Sequence, residues 1–372
     1  MILGDLGAEV IKVENPKGGD DTRAWGPPWA AGESAYYLCA NRNKKSVAID
    51  LSCEAGQDAV RALAALSDVV VENFKLGGLD RYGLDFESLR AINPRLVYCS
   101  ISGYGRNSPR APEPGYDYVI QAEGGLMAIN GDADRPPVRV GVAVADLFTG
   151  MFAAQAVLAA LIAAERDGIG QHIDMALFDS QLAMLANVGS GTLVSGEEPA
   201  RYGNAHPTVV PYQTFDAADG PIVIAVGNDR QFGFLCRDLL DRPDLAADPR
   251  FATNGARVVN REELIAILKP LIATHPGAWW LEQLKTAGVP CGEVRGVGAA
   301  LASPEALARA MRQTIVHPLA GSVDLIGSPL KLSGTPVVEP SSPPLLGEHS
   351  AVVLRDLLGF DERQIAAAAG QA

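Results

Sequence analysis

Over its first hundred residues the chain keeps changing its hydrophobic period. Ile2–Ala8 reads as the end of a helix that closes on Gly7, and Glu9–Glu14 (EVIKVE) alternates as a half-buried strand does. Asn15–Pro28 is a polar, Gly/Pro-bearing loop, and Tyr36–Leu38 and Ser46–Asp50 (SVAID) are short strand candidates around Asn41–Lys45. Glu54–Leu66 predicts a helix, Asp68–Glu72 (DVVVE) a buried strand, Phe86–Ile92 a helix and Leu96–Ile101 another strand. Strands that take turns with helices at this spacing predict an α/β fold with a parallel sheet. The strands lead into the turns Asn73–Gly78 and Ser102–Gly105. In open α/β sheets ligands collect beyond the carboxyl ends of the strands, so those turns are candidate binding positions.

The most apolar stretch is Val140–Arg166, where a short run, Val140–Ala145, meets Asp146 and a long apolar helix follows. Asp146 stands where an N-cap belongs, so helix N–H groups are expected to hold its carboxylate ionised and to outweigh burial. On local sequence alone a capping role accounts for it. Leu147–Ala164 contains no charge but has no second span beside it and no flanking Lys/Arg cluster, which favours a helix buried in a core or interface over a membrane span. Gly170–Met175 then predicts a strand and Asp179–Asn187 a helix, and Ser195–Gly203 reads as a linker. A second unit runs to about Ala300, with a strand at Pro221–Val226 and helices at Arg230–Leu240, Arg261–Ala273 and Pro276–Ala287. The rest holds strand-like Thr314–Val316 and Val323–Leu325, a Pro-rich stretch and a closing helix, Glu348–Leu358.

A chain of 372 residues with two such units suggests two domains. The net charge of −13 argues against nucleic acid and membrane as partners. Five scattered cysteines without a CxxC pair read as reduced thiols, which suits a cytoplasmic protein. Five scattered histidines make no metal-binding spacing, so no metal is expected.

The segments DLGAEVIKVENP, GGDDTRAWGPP, NRNKKSVAIDL, DVVVENFKLGGLDRYGL, YCSISGYG, VGVAVADLFTGM and PPLLGEHS resemble, in order and from Asp5 to Ser350, those of the family III CoA-transferases. GNAHPTVVPYQTF, together with NRNKK and DDTRAWGPP, is most similar to the branch that handles dicarboxylates such as succinate and glutarate. The resemblance implies a Rossmann-like large domain built from both chain ends, here 1–195 and 301–372. A smaller inserted α+β domain would be 196–300, and the assembly an interlocked homodimer. It implies that members carry a further strand and turn ahead of DLGAEVIKVE.

The family nucleophile falls on Asp146, followed by Thr149-Gly150. The family's CoA contacts fall on Asn73, Phe74, Lys75, Arg81 and Ser102, Gly103, Tyr104 and Gly105, and more loosely on Asn15, Ile49, Asp50, Leu51 and Ser52. His206, Tyr212 and Gln213 are expected to bind the acceptor's distal carboxylate. Arg81 could pair with a phosphate, and free N–H groups of the SGYG turn could bind an oxyanion or phosphate. The reaction implied moves CoA from an acyl-CoA, in this branch succinyl-CoA, to a free carboxylic acid through an aspartyl anhydride and an aspartyl-CoA thioester. CoA thioesters are then substrates and no permanent cofactor is needed. Two alternatives remain. A racemase-like isomerase would need a His within PGYDY, where this chain has Tyr116. A catalytically silent CoA-binding homologue would bind CoA without exchange.

Overall fold

A computed structural model describes residues 1–371, and the chain forms two compact units. The first comprises Met1–Gly124, Val142–Ala186 and Leu301–Ala372, the second Gly125–Gly141 and Asn187–Ala300. The sequence reading keeps 125–141 and 187–195 in the first unit. The structure groups them with the second, where Arg201 donates to the carbonyls of Asp132, Ala133 and Arg135, and Gly203 to that of Gly131. Such long-range side-chain contacts leave no periodic trace.

In the first unit the order is α1 (Ile2–Asp5), β1 (Val10–Glu14), the short pair β2 (Trp29–Ala30) and β3 (Glu33–Ser34), α2 (Ala35–Leu38) and β4 (Lys44–Ala48). There follow α3 (Glu54–Leu66), β5 (Val69–Glu72), α4 (Phe86–Ile92), β6 (Val97–Ser102) and α5 (Asp117–Glu123). After α6 (Leu126–Ile129) of the second unit, the first resumes with α7 (Val144–Asp167), β7 (His172–Ala176) and α8 (Leu177–Met184). The predicted parallel pairing is present in two pieces: β1 with β4, and β5–β6–β7, with Val69 opposite Val97 and Tyr98 opposite His172. Valines and isoleucines fill both because their β-branched side chains suit a pleated, covered surface. α7 packs on β6 and β7 through Val97, Cys99, Ala153, Val157 and Ala160. Its small residues let it lie close to the sheet.

Two predicted strands change character. Tyr36–Leu38 lies in helix α2, because Ser34 Oγ accepts the N–H groups of Tyr36 and Tyr37 at 3.1 and 3.4 Å and starts a helical turn. β5 is an edge strand and only half-buried, with Val71 52% exposed.

The second unit continues with α9 (Ala186–Ser195), β8 (Tyr212–Ala217), β9 (Gly220–Ala225), α10 (Asp229–Phe234) and a π-helical turn, Leu235–Leu239. Then come α11 (Pro243–Ala247), α12 (Asn254–Val259), α13 (Arg261–Ile272), α14 (Gly277–Thr286), β10 (Cys291–Glu293) and α15 (Val297–Leu301). Its antiparallel sheet, β10–β9–β8, covers a core around Phe215, Ile224, Phe232, Leu268 and Trp280. Strand β8 goes unpredicted, since the stretch before it is dominated by polar residues and prolines. The chain then returns to the first unit: α16 (Pro304–Ala308), the hairpin β11 (Arg312–His317) and β12 (Gly321–Ile326), α17 (Ser350–Leu358) and α18 (Glu362–Ala368). Val353, Leu354 and Ala368 from α17 and α18 pack with Val47 of β4, Ile49 just after it and Leu63 of α3. Both chain ends therefore build one core.

Candidate functional site

The N-terminus of α7 is built differently from the sequence expectation. The helix starts at Val144 with Ala143 as N-cap, and no cap side chain bonds to it. Asp146 is therefore in the first turn, three positions inside the cap. The N–H of Ala145 is accepted instead by Asp117 Oδ1 at 2.8 Å, from the first residue of α5. Gln121, fully buried, donates to the other oxygen of Asp117 at 2.7 Å and so fixes the borrowed cap. Thr149 Oγ1 bonds back to the carbonyl of Ala145 at 2.7 Å.

Among the described residues, no hydrogen bond or ion pair reaches the Asp146 carboxylate. It keeps solvent access on its outer side, while the protein packed around it withdraws hydration. That burial, and then the negative charge of Asp117, raise its pKa to about 6. The expectation that helix N–H groups would win is thus reversed: the N–H of the preceding residue, Ala145, already belongs to Asp117.

The candidate CoA residues lie beyond the carboxyl ends of the parallel strands. Asn73 follows β5 and donates from Nδ2 to the carbonyl of Ile101 on β6 at 2.6 Å. Phe74 is half exposed and its N–H is held by Glu72 Oε2 at 2.7 Å. Lys75 lines a shallow depression with Glu72, Asp85, Arg106 and His172. Arg81 is exposed, with its guanidinium 4.4 Å from the Tyr82 ring centre. In the SGYG turn, Ser102 Oγ accepts the N–H of Gly105 at 3.0 Å, and both oxygens of Asp174 accept that of Arg106 at 2.9 and 3.2 Å. Those two N–H groups are therefore spent within the fold and not free for an anion, because β7 brings Asp174 alongside Ser100. A side chain at Gly103 would put its Cβ 2.7 Å from the Gly115 backbone, so only glycine fits there. Tyr104 is buried among Ile120, Ala145 and Leu177 and donates to Glu123 at 2.6 Å. Beyond β1 and β4, Asn15 turns back on the Lys17 N–H, and Asp50 accepts both the N–H and hydroxyl of Ser52. Leu51 is half-buried and Ile49 is in the core, so Ile49 offers a ligand only its backbone.

Comparison with known proteins places this arrangement. The family model of CoA-transferase family III matches residues 1–350. The chain belongs to CoA-transferase family III. It is 46% identical over 367 residues to a succinate–glutarate CoA-transferase of Agrobacterium fabrum, covering 96% of this chain and 90% of that one. It is 42% identical to the human succinyl-CoA:glutarate CoA-transferase over 98% of this chain and 83% of the relative. Among solved structures, a CaiB/BaiF family protein from Brucella suis superposes with a TM-score of 0.85 at 48% identity, covering 95% of this chain and 93% of that one.

In this family III CoA-transferase the residues carried over to the acceptor lie in the second unit. Tyr212 and Gln213 open β8, and His206 precedes them in a loop. The rings of His206 and Tyr212 stack 5.2 Å apart, and the His206 N–H donates to the Tyr212 carbonyl at 2.9 Å. Gln213 bonds only weakly to its neighbour's carbonyl, at 3.4 Å. The structure adds residues that the sequence leaves unmarked. Tyr36 faces the same acidic corner: burial, then the charges of Asp146, Cys39 and Asp117, raise its phenol pKa. Trp25 packs edge-on against it at 5.0 Å. Asp117 gives no local signal of its role, because the helix it caps begins far downstream.

Proposed function

We propose that this transferase moves CoA from succinyl-CoA to a dicarboxylic acid of about glutarate's size, with Asp146 as nucleophile. The observation that carries the reading is the unbonded Asp146 carboxylate, whose neighbouring helix N–H is bonded elsewhere. A carboxylate free of donors keeps its lone pairs available for attack. The activities of the relatives, succinate–glutarate and succinyl-CoA:glutarate CoA transfer, support the substrate class.

In the proposed cycle an Asp146 oxygen attacks the thioester carbon, a C–O bond forms, the C–S bond breaks, and CoA leaves as thiolate. That thiolate attacks the Asp146 carbonyl of the mixed anhydride and expels the donor acid as a carboxylate, leaving an aspartyl thioester. The acceptor carboxylate attacks that thioester to form a second anhydride, and the thiolate attacks the acceptor's carbonyl to release acyl-CoA and free Asp146. Acyl bond energy is conserved throughout. Lys75, Arg81 and Arg106, beyond β5 and β6, supply local positive charge for CoA phosphates on an acidic chain.

The reading includes a second copy of the chain. Helix α7 is long and apolar enough to cross a membrane, yet only 28% of its apolar length is buried. Of the two expected settings, core or interface, one chain alone therefore covers only part of the helix and leaves the rest to an interface. Leu147, Met151, Leu158 and Ile162 form one exposed stripe, with Leu147 57% and Ile162 65% exposed. A homodimer burying well over ~2,000 Å² would cover it. Light scattering at micromolar concentration should report twice the chain mass; a monomer overturns this part. For the nucleophile, incubation with succinyl-CoA and hydroxylamine should leave a hydroxamate on the peptide that holds Asp146. A hydroxamate on Asp117 or Asp179 instead overturns the assignment.

A further inference from the structure

The loop that carries His206 has no regular secondary structure, yet its backbone is held at nearly every residue by side chains. Arg261, at the start of α13, donates to the carbonyls of His206 at 3.0 Å and Pro207 at 2.5 Å, and its guanidinium lies 4.7 Å from the Tyr202 ring centre. Asn254, at the start of α12, donates from Nδ2 to the Thr208 carbonyl at 2.8 Å and accepts the Val210 N–H at 3.1 Å. Arg257, fully buried, donates to the Val210 carbonyl at 2.6 Å and is itself anchored by the Phe251 carbonyl and Asp229. Asn254, Arg257 and Arg261 follow an i, i+3, i+7 spacing, so one side of two consecutive helices grips the loop.

The consequence for His206 is a fixed ring and a fixed tautomer. Its Nδ1 accepts the Thr208 N–H at 3.2 Å, its ring lies against Tyr212, and its own N–H is tied to the Tyr212 carbonyl. A neutral imidazole that accepts at Nδ1 carries its hydrogen on Nε2, which is then a donor. Among the described residues no hydrogen bond occupies Nε2. A floppy loop would lose affinity to ordering on each binding event; a clamped one has met that entropy cost in folding.

We propose that Asn254, Arg257 and Arg261 are positioning residues that hold the His206–Val210 backbone so that His206 Nε2–H meets the distal carboxylate of the acceptor. The clamp is then a determinant of selectivity for dicarboxylic over monocarboxylic acids. This rests on the reading of His206 as an acceptor-binding residue. The test uses the full chain with succinyl-CoA as donor and compares glutarate with pentanoate, which has the same length but no distal carboxylate. Arg261→Ala should raise the KM for glutarate about tenfold with kcat within about twofold, and lower the glutarate-to-pentanoate ratio of kcat/KM by the same factor. Arg261→Lys should recover part of the loss, and Asn254→Ser, which leaves Arg257 and Arg261 in place, should show the same split. A purely structural role would lower both acids alike, and that result overturns the proposal. If His206→Ala collapses the ratio while Arg261→Ala and Asn254→Ser leave it intact, the clamp is wrong and the reading of His206 stands. If His206→Ala leaves the ratio unchanged, the reading of His206 fails, and the proposal with it.

Discussion

Two carboxylates of the first unit show how differently one fold can treat the same group. Glu14, at the end of β1, is buried and accepts from Arg23 Nε and a terminal Arg23 nitrogen at 2.9 and 2.7 Å, from Ser46 Oγ at 2.6 Å and from the Asp20 N–H at 3.0 Å. Burial by itself would raise its pKa, but these bonds outweigh it and hold the carboxyl below its ordinary value. Asp146 has protein packed around it and no such bonds, so burial and Asp117 carry its pKa the other way, to about 6. The first region spends every lone pair on holding β1, β4 and the Asp20–Ala24 turn together. The second leaves them unspent, and that is what a nucleophile requires. A carboxyl at a helix start whose pKa is raised by its surroundings and that has no donor among the described residues marks a candidate functional position.

The sharpest break in this contrast is at the nucleophile. Asp146→Asn should lower CoA exchange by roughly 10⁴-fold or more, with the fold intact by circular dichroism. Because the folded pKa of Asp146 is raised, its stabilising contribution is complete below the ordinary carboxyl range and is lost as pH rises through about 6. The same variant should therefore melt slightly higher than the parent at pH 8; a lower melting temperature would mean that the carboxylate is bonded after all. At the other carboxylate the effect is on stability. Glu14→Ala should cost about 3–5 kcal/mol by urea unfolding, since it strands a nearly buried Arg23. A loss under about 1 kcal/mol would show that the network is only neighbourly.

Next comes pH. The rate of acyl transfer from succinyl-CoA should rise with pH through about 6, as Asp146 ionises. Asp117→Asn keeps an oxygen for the Ala145 N–H but removes the neighbouring charge, so the midpoint should move to lower pH. A midpoint that stays put would rule out Asp117 as a cause of the shift. The smallest change is Ser34→Ala, which removes the cap of α2 and should cost about 1 kcal/mol by thermal melting, with a modest loss of exchange as Tyr36 loosens.

Much of the frame can be read along the chain. The helices Glu54–Leu66 and Phe86–Ile92 fall on the residues that their spacing predicts, and the strands around them differ by a residue or two. Tyr36–Leu38 is misread as a strand because three apolar residues carry no period, and Ser34 alone tips them into a helix. The site is legible as motifs but not as bonds. Asp146 can be singled out from VGVAVADLFTGM, whereas its freedom from hydrogen bonds cannot, since that depends on Asp117 supplying the cap from α5.

Short-range physics controls what can be read along the chain: the alternation of strands and helices, the apolar helix behind Asp146, and the family with its order of motifs. Which groups share a neighbourhood is set by the folded chain alone. Asp117 reaches a helix start 28 residues downstream, Asn254, Arg257 and Arg261 reach carbonyls some fifty residues back, and Asp174 takes an N–H that a turn had left open. A hydrogen bond depends on distances of a few tenths of an ångström between atoms far apart in the chain, and no local pattern of residues records them.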